Sequence, residues 1–134
     1  MKQKIVKMRS ETELVAACVA TLKANGCLVW RQNSGGFTDD EGRYVAMQWG
    51  IKGVSDIIGL LPGGRFLAVE VKWRSGALRP HQEDFLKAVN EAGGLGVVVR
   101  SIAELRERVL IHAESTRDIE GSTETARGAS PKIE

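Results

Sequence analysis

The run Gly53-Val54-Ser55-Asp56-Ile57-Ile58-Gly59-Leu60-Leu61-Pro62-Gly63-Gly64-Arg65-Phe66-Leu67-Ala68-Val69-Glu70-Val71-Lys72 decides how the rest of the chain is read. Two apolar segments flank Pro62-Gly63-Gly64, a turn in which proline presets one backbone angle and glycine accepts the left-handed ones. Each segment has strand length, so the run reads as a β-hairpin over about 55–61 and about 65–73. Alternation puts Ile57, Leu61, Leu67, Val69 and Val71 on one side and Ile58, Leu60, Phe66 and Ala68 on the other. Both sides are apolar, the pattern of a sheet covered by helices on both faces. Three charges gather at the open end: Asp56, Glu70 and Lys72.

Register decides whether they meet. A two-residue Gly63-Gly64 turn would put Asp56 and Glu70 on different faces. The three-residue turn Pro62-Gly63-Gly64 leaves Leu61 opposite Arg65 and brings Asp56 opposite Glu70, with Lys72 on the same face.

Upstream, Ser10 followed by Glu13 is a capping-box signature. Leu14, Cys18 and Leu22, flanked by Val15 and Val19, recur at the helical period, and Asn25-Gly26 is a stop, giving a helix over about 11–24. Cys27 to Arg31 reads as a short strand, Gln32 to Gly42 as a loop, and Tyr44 to Trp49 as a strand or loop edge. Downstream, Arg74 to Arg79 is a loop and Pro80 opens a helix. Gln82, Phe85, Leu86 and Val89 lie on one line of that helix, and Gly93-Gly94 ends it. Leu95 to Arg100 is a strand around Val97-Val98-Val99. Ser101 and Glu104 form a second capping box, opening a last helix to about 112 with Ile102, Leu105 and Val109 inward. The order α-β-(β)-β-β-α-β-α predicts an α/β fold with a mixed central sheet flanked by helices.

The chain has 134 residues, 43% of them hydrophobic. That suits one domain on a scale of about 100–200 residues, here residues 1–112. From Ala113 the sequence turns to Ser, Thr, Glu, Gly and Pro, and residues 113–134 read as a disordered tail. No apolar run approaches the roughly 20 residues of a membrane span, so no membrane partner is expected. The basic stretch Met1 to Arg9 has no apolar run behind it of the kind a secretory leader carries. Cys18 and Cys27 fit no zinc spacing, and His81 and His112 lie far apart. The two thiols read as buried and reduced in a cytosolic protein. Residues 1–112 carry 16 Lys/Arg against 12 Asp/Glu, and residues 113–134 carry 3 against 5. A mildly basic body is compatible with a nucleic-acid partner.

The bland account of Asp56, Glu70 and Lys72 is a solvated strand end with a cross-strand ion pair. The chemical account starts from repulsion. Opposed residues have Cβ atoms about 4.5–5.5 Å apart, and two carboxylates so placed call for a cation between them. Mg²⁺ or Mn²⁺ takes oxygen ligands and commonly only one or two protein carboxylates. Asp56, Glu70 and the Val71 carbonyl are the candidate ligands, and such an ion would lower the pKa of a bound water and neutralise charge on a phosphate. Lys72 would orient the water or hold a phosphate oxygen.

Asp56 followed after a hairpin by Glu70-Val71-Lys72 resembles the PD-(D/E)XK nuclease superfamily. Glu13 on helix 1, Asn33-Ser34-Gly35, Gly53-Val54-Ser55-Asp56, Glu70-Val71-Lys72 and Gln82 after Pro80 together resemble its VRR-NUC branch, over roughly residues 9–105. The resemblance implies a restriction-endonuclease-like fold and a Mg²⁺- or Mn²⁺-dependent endodeoxyribonuclease. It also implies a homodimer acting on branched DNA in the manner of Holliday-junction resolvases, in the cytoplasm of a bacterium or a phage-infected host. Flaps, nicks or a specific duplex sequence are alternative substrates. A non-catalytic DNA-binding module is the alternative of another class. Two departures stand out: Ser55 where the family usually has proline, and Arg79 where a capping Ser or Thr is common.

Under this resemblance Glu13 would reach toward the metal, through water, although its capping-box position explains it without one. Gln82 would face the site, or else satisfy its amide within the core. Arg31, Asn33, Lys52, Arg74 and Arg79, with Arg43, flank the site and would hold DNA phosphates. His81 reads as a surface residue, and Trp30, Trp49 and Trp73 as core or dimer anchors rather than base-stacking platforms.

Overall fold

The structure is a computed structural model that describes residues 7–32, 36–46 and 52–113. Helix α1 runs Glu11–Ala24, with the Ser10 side chain accepting the Glu13 N–H at 3.2 Å. Strand β1 follows at Leu28–Arg31, then β2 at Gly36–Thr38, β3 at Tyr44–Ala46, β4 at Ile57–Leu60 and β5 at Phe66–Val71. Helix α2 spans Pro80–Glu91, β6 spans Leu95–Val99 and α3 starts at Ile102–Leu105. A π-helical turn over Arg106–Leu110 continues α3, and residues 111–113 are helical again. No helix among the described residues is long and apolar enough to cross a membrane.

The main sheet has the order β1-β4-β5-β6, with β5 and β6 parallel and the other pairs antiparallel. The α/β fold expected from the sequence, a mixed sheet with helices on both faces, is what forms. The turn works as the three-residue reading requires. Gly64 N–H bonds to Leu61 O at 2.9 Å, Gly63 sits at φ 94°, and Leu61 N–H returns to Arg65 O at 2.8 Å. Ile57 therefore pairs with Val69 and Ile58 with Ala68.

Two cores result, one on each face. Ile57, Leu61, Leu67, Val69 and Val71 pack with Leu14, Cys18 and Leu22 of α1 and with Leu105 and Val109 of the last helix. Ile58 and Ala68 pack with Leu86 and Val89 of α2. Gly59 lets β1 and β4 approach, since a Cβ there would stand 2.0 Å from Leu28 O. The last helix carries the larger core one residue further than composition suggests: Ala113 is helical and 1% exposed.

Two expectations fail here. The segment read as a loop contains β2, which pairs with β3 around a turn held by Asp39. The Asp39 Oδ1 accepts the N–H groups of Glu41 and Arg43, and its carboxylate pairs with the Arg43 guanidinium at 3.1 Å. These donors hold the Asp39 carboxyl below the usual range. Of the two roles expected for Trp30, core or dimer anchor, the core one fails: it is 48% exposed on the edge strand β1. Trp73 does pack against the larger core, and Trp49 lies outside the described residues.

Ser55 is 0% exposed and its hydroxyl has no hydrogen-bond partner among the described residues. A buried hydroxyl without a partner destabilises a fold. Ser55→Ala is therefore expected to stabilise the protein by about 1 kcal/mol, seen as a rise of a few degrees in melting temperature. A fall would mean that the hydroxyl is satisfied in solution.

Candidate active site

Asp56 stands one residue before β4 and Glu70 one residue before the end of β5. The observed register carried one step further sets them opposite each other. The Asp56 Oδ2 accepts the Val71 N–H at 2.9 Å, which pins its carboxylate across the gap between the strands. Because Lys72 N–H turns to Val99 O on the β6 side, the N–H and carbonyl of Val71 point the other way, toward Asp56.

Glu70 is 2% exposed. Its Oε1 accepts from Gln82 Nε2 at 3.0 Å and lies 3.8 Å from Lys72 Nζ. Its Oε2 has no donor among the described residues. Desolvation first, and then the facing charge of Asp56, push the Glu70 carboxyl up to about 8, against a smaller opposing pull from Lys72. Glu70 is thus the group that keeps its proton when nothing else neutralises the site.

Gln82 is brought to the site rather than lost in the core. It is the third residue of α2, and its Oε1 accepts the Arg79 N–H at 2.9 Å. That bond fixes the amide so that Nε2 faces Glu70. Arg79 has no side chain able to cap the helix, and Gln82 supplies the missing half. Gly53 holds the connector against this helix start at φ 78°, where a Cβ would be 2.1 Å from His81 O. The same glycine therefore sets the approach to Asp56 and the height of Gln82.

Glu13 is held elsewhere. Its Oε2 accepts the Arg9 N–H at 2.7 Å, so its carboxylate closes the N-terminus of its own helix. The α1 charge that bears on Glu70 is that of Glu11, two residues earlier. No local pattern marks Glu11, whereas Glu13 is marked by the capping box. Arg31, Lys52, Arg74 and Arg79 are exposed, as is His81. Arg43 is paired with Asp39 and Glu41. Asn33 lies outside the described residues.

The donor set fits a hard divalent cation. Two carboxylates face each other, one buried oxygen lacks a donor, and the Val71 carbonyl turns the same way. Among the described residues no cluster of three or more His, Cys, Asp or Glu forms, so an ion held here would need backbone oxygen and water besides the two carboxylates.

No curated protein matches this chain. The VRR-NUC domain matches residues 9–103, from just before α1 to the first turn of α3. That span takes in the whole main sheet, the first capping box and every residue of the Asp56–Glu70–Lys72 cluster, so the chain belongs to the VRR-NUC family, nuclease domains of the restriction-endonuclease-like superfamily.

Proposed function

We propose that this nuclease is a Mg²⁺- or Mn²⁺-dependent endodeoxyribonuclease that cuts branched DNA as a homodimer. The observation that carries the metal dependence is the buried Glu70 carboxyl facing Asp56 with one oxygen unsatisfied. Asp56, Glu70 and the Val71 carbonyl would hold the ion. When bound, it would neutralise the facing carboxylates, polarise the scissile phosphate and make a nearby water acidic.

The remaining steps belong to the chain. Gln82 fixes the Glu70 carboxylate through Nε2, so the acid need not search for its rotamer. Lys72 is 12% exposed at its side chain and held beside Glu70, where its ammonium meets charge growing on a phosphate oxygen. Glu11 adds negative potential from α1 that favours a cation at the site. Glu13 keeps the helix end in place, and through a bound water its carboxylate could also serve the ion. Arg31, Asn33, Lys52, Arg74 and Arg79 would hold backbone phosphates without reading sequence. Branched DNA and the dimer are supported by the family resemblance and by symmetry. A four-way junction has a two-fold axis, and a two-fold dimer offers one site to each of two strands.

Lys72→Ala is expected to slow single-turnover cleavage by about 10²–10³-fold with little change in DNA affinity. An undiminished rate would remove Lys72 from the mechanism. The substrate claim is tested by cleavage of a four-way junction, a flap, a nicked duplex and matched linear duplex, each with Mg²⁺ and with EDTA. Preference for the junction is expected. Equal cutting of linear duplex would sink the resolvase reading, and binding without cutting in any metal would favour the non-catalytic alternative.

A further inference from the structure

The turn after Lys72 is strained and is held from outside. Arg74 has φ 53°, the one positive φ at a non-glycine residue among those described. An L-residue pays for that conformation, whereas glycine adopts it freely. The turn closes with Gly76 N–H on Trp73 O at 3.1 Å. Arg100, just after β6, donates from Nη1 to both Arg74 O and Gly76 O at 2.8 Å each. One guanidinium thus grips both ends of the strained segment. The Arg74 guanidinium lies 5.3 Å from the centre of the Trp73 ring, and Trp73 is packed against the larger core. Gly76 sits against the stem of Lys72, with Lys72 Cδ 3.9 Å from where a Cβ would be.

The only contact of the Arg74 side chain among the described residues is the one with the Trp73 ring. That side chain is exposed and makes no ion pair among the described residues. Strain retained where glycine would relieve it points to a use for the side chain. We propose that Arg74 grips a DNA backbone phosphate next to the scissile one, and that Arg100 is the positioning residue that holds it there. The proposal rests on the nuclease reading. A guanidinium stacked on an indole and fixed through its own backbone loses little freedom on binding, and its fork matches phosphate oxygens.

Binding of the full-length protein to labelled duplex in EDTA, over a salt series, tests this without cleavage. Arg74→Gly is expected to melt at or above the wild-type temperature. It should bind about tenfold more weakly, and the slope of log K against log salt should shrink by about one. Arg100→Gln should weaken binding in the wild-type background but not in the Arg74→Gly background. Wild-type affinity and slope in Arg74→Gly, or an Arg100→Gln loss that persists unchanged in that background, would overturn the proposal. If Arg100→Gln fails to fold, Arg74→Gly decides alone. A wild-type protein that neither binds nor cuts DNA would instead refute the nuclease reading.

Discussion

Glu70→Gln is expected to lower metal-dependent cleavage by at least about a thousandfold while leaving the fold intact. The substitution preserves shape. A glutamine Oε1 still accepts from Gln82 Nε2, and its amide N–H can donate to Asp56 where Glu70 Oε2 had no donor. What disappears is the charge and the lone pairs that would hold a cation. A transition-state interaction of several kcal/mol is lost, and each 1.4 kcal/mol or so is tenfold in rate. The same change relieves the repulsion between Glu70 and Asp56. Without metal at pH 8 the variant should therefore melt higher than wild type. A variant that is inactive and also less stable would mean that Glu70 serves packing. A variant that cuts normally would refute the site.

The metal-free protein should lose stability as pH rises. The Glu70 carboxyl is pushed up from about 4.5 to about 8 in the folded chain, so the native state holds a proton that the unfolded state has released. Its contribution is fully present below about pH 4.5 and is lost as pH rises through about 8. In EDTA, melting temperature is expected to fall between pH 5.5 and pH 8.5 by several degrees, on the order of a few kcal/mol at most. Glu70→Gln should flatten this slope. Asp39, whose carboxyl is held low, acts in the opposite direction and only at more acid pH. A wild-type curve that is flat or rising across the window would contradict the facing carboxyls.

Much of this site was legible before any coordinates. The hairpin register followed from one odd-length turn, because shifting a strand by one residue flips every side chain to the other face. The two-faced apolar pattern of β4 and β5 required helices above and below, and α1 and α2 were readable from their caps and stripes. Other features had no such signal. Strand β2 is three residues long and is held to β3 by an aspartate turn rather than by an apolar run, so composition reads it as loop, whereas β3 falls in the stretch from Tyr44 read as strand or loop edge. Glu11 and Glu13 lie on the same helical turn, and no local pattern tells that the Glu13 carboxylate bonds back to Arg9 N–H while the charge of Glu11 bears on Glu70. Arg100 reaches across 26 residues of sequence to Arg74, a contact made by the parallel pairing of β5 with β6 and invisible to any local pattern. Trp30 misled because large aromatic residues are usually buried, whereas an edge strand leaves one face without a cover.

Mg²⁺ binding at pH 8, followed as the rise in melting temperature across a Mg²⁺ titration of wild type and Glu70→Gln, tests the central claim without any DNA. The wild type should gain several degrees, since an ion that binds only the folded state stabilises it by mass action and here also removes the carboxylate repulsion. Glu70→Gln should gain almost nothing. Equal gains in the two proteins would place the metal elsewhere and contradict a site built on Asp56 and Glu70.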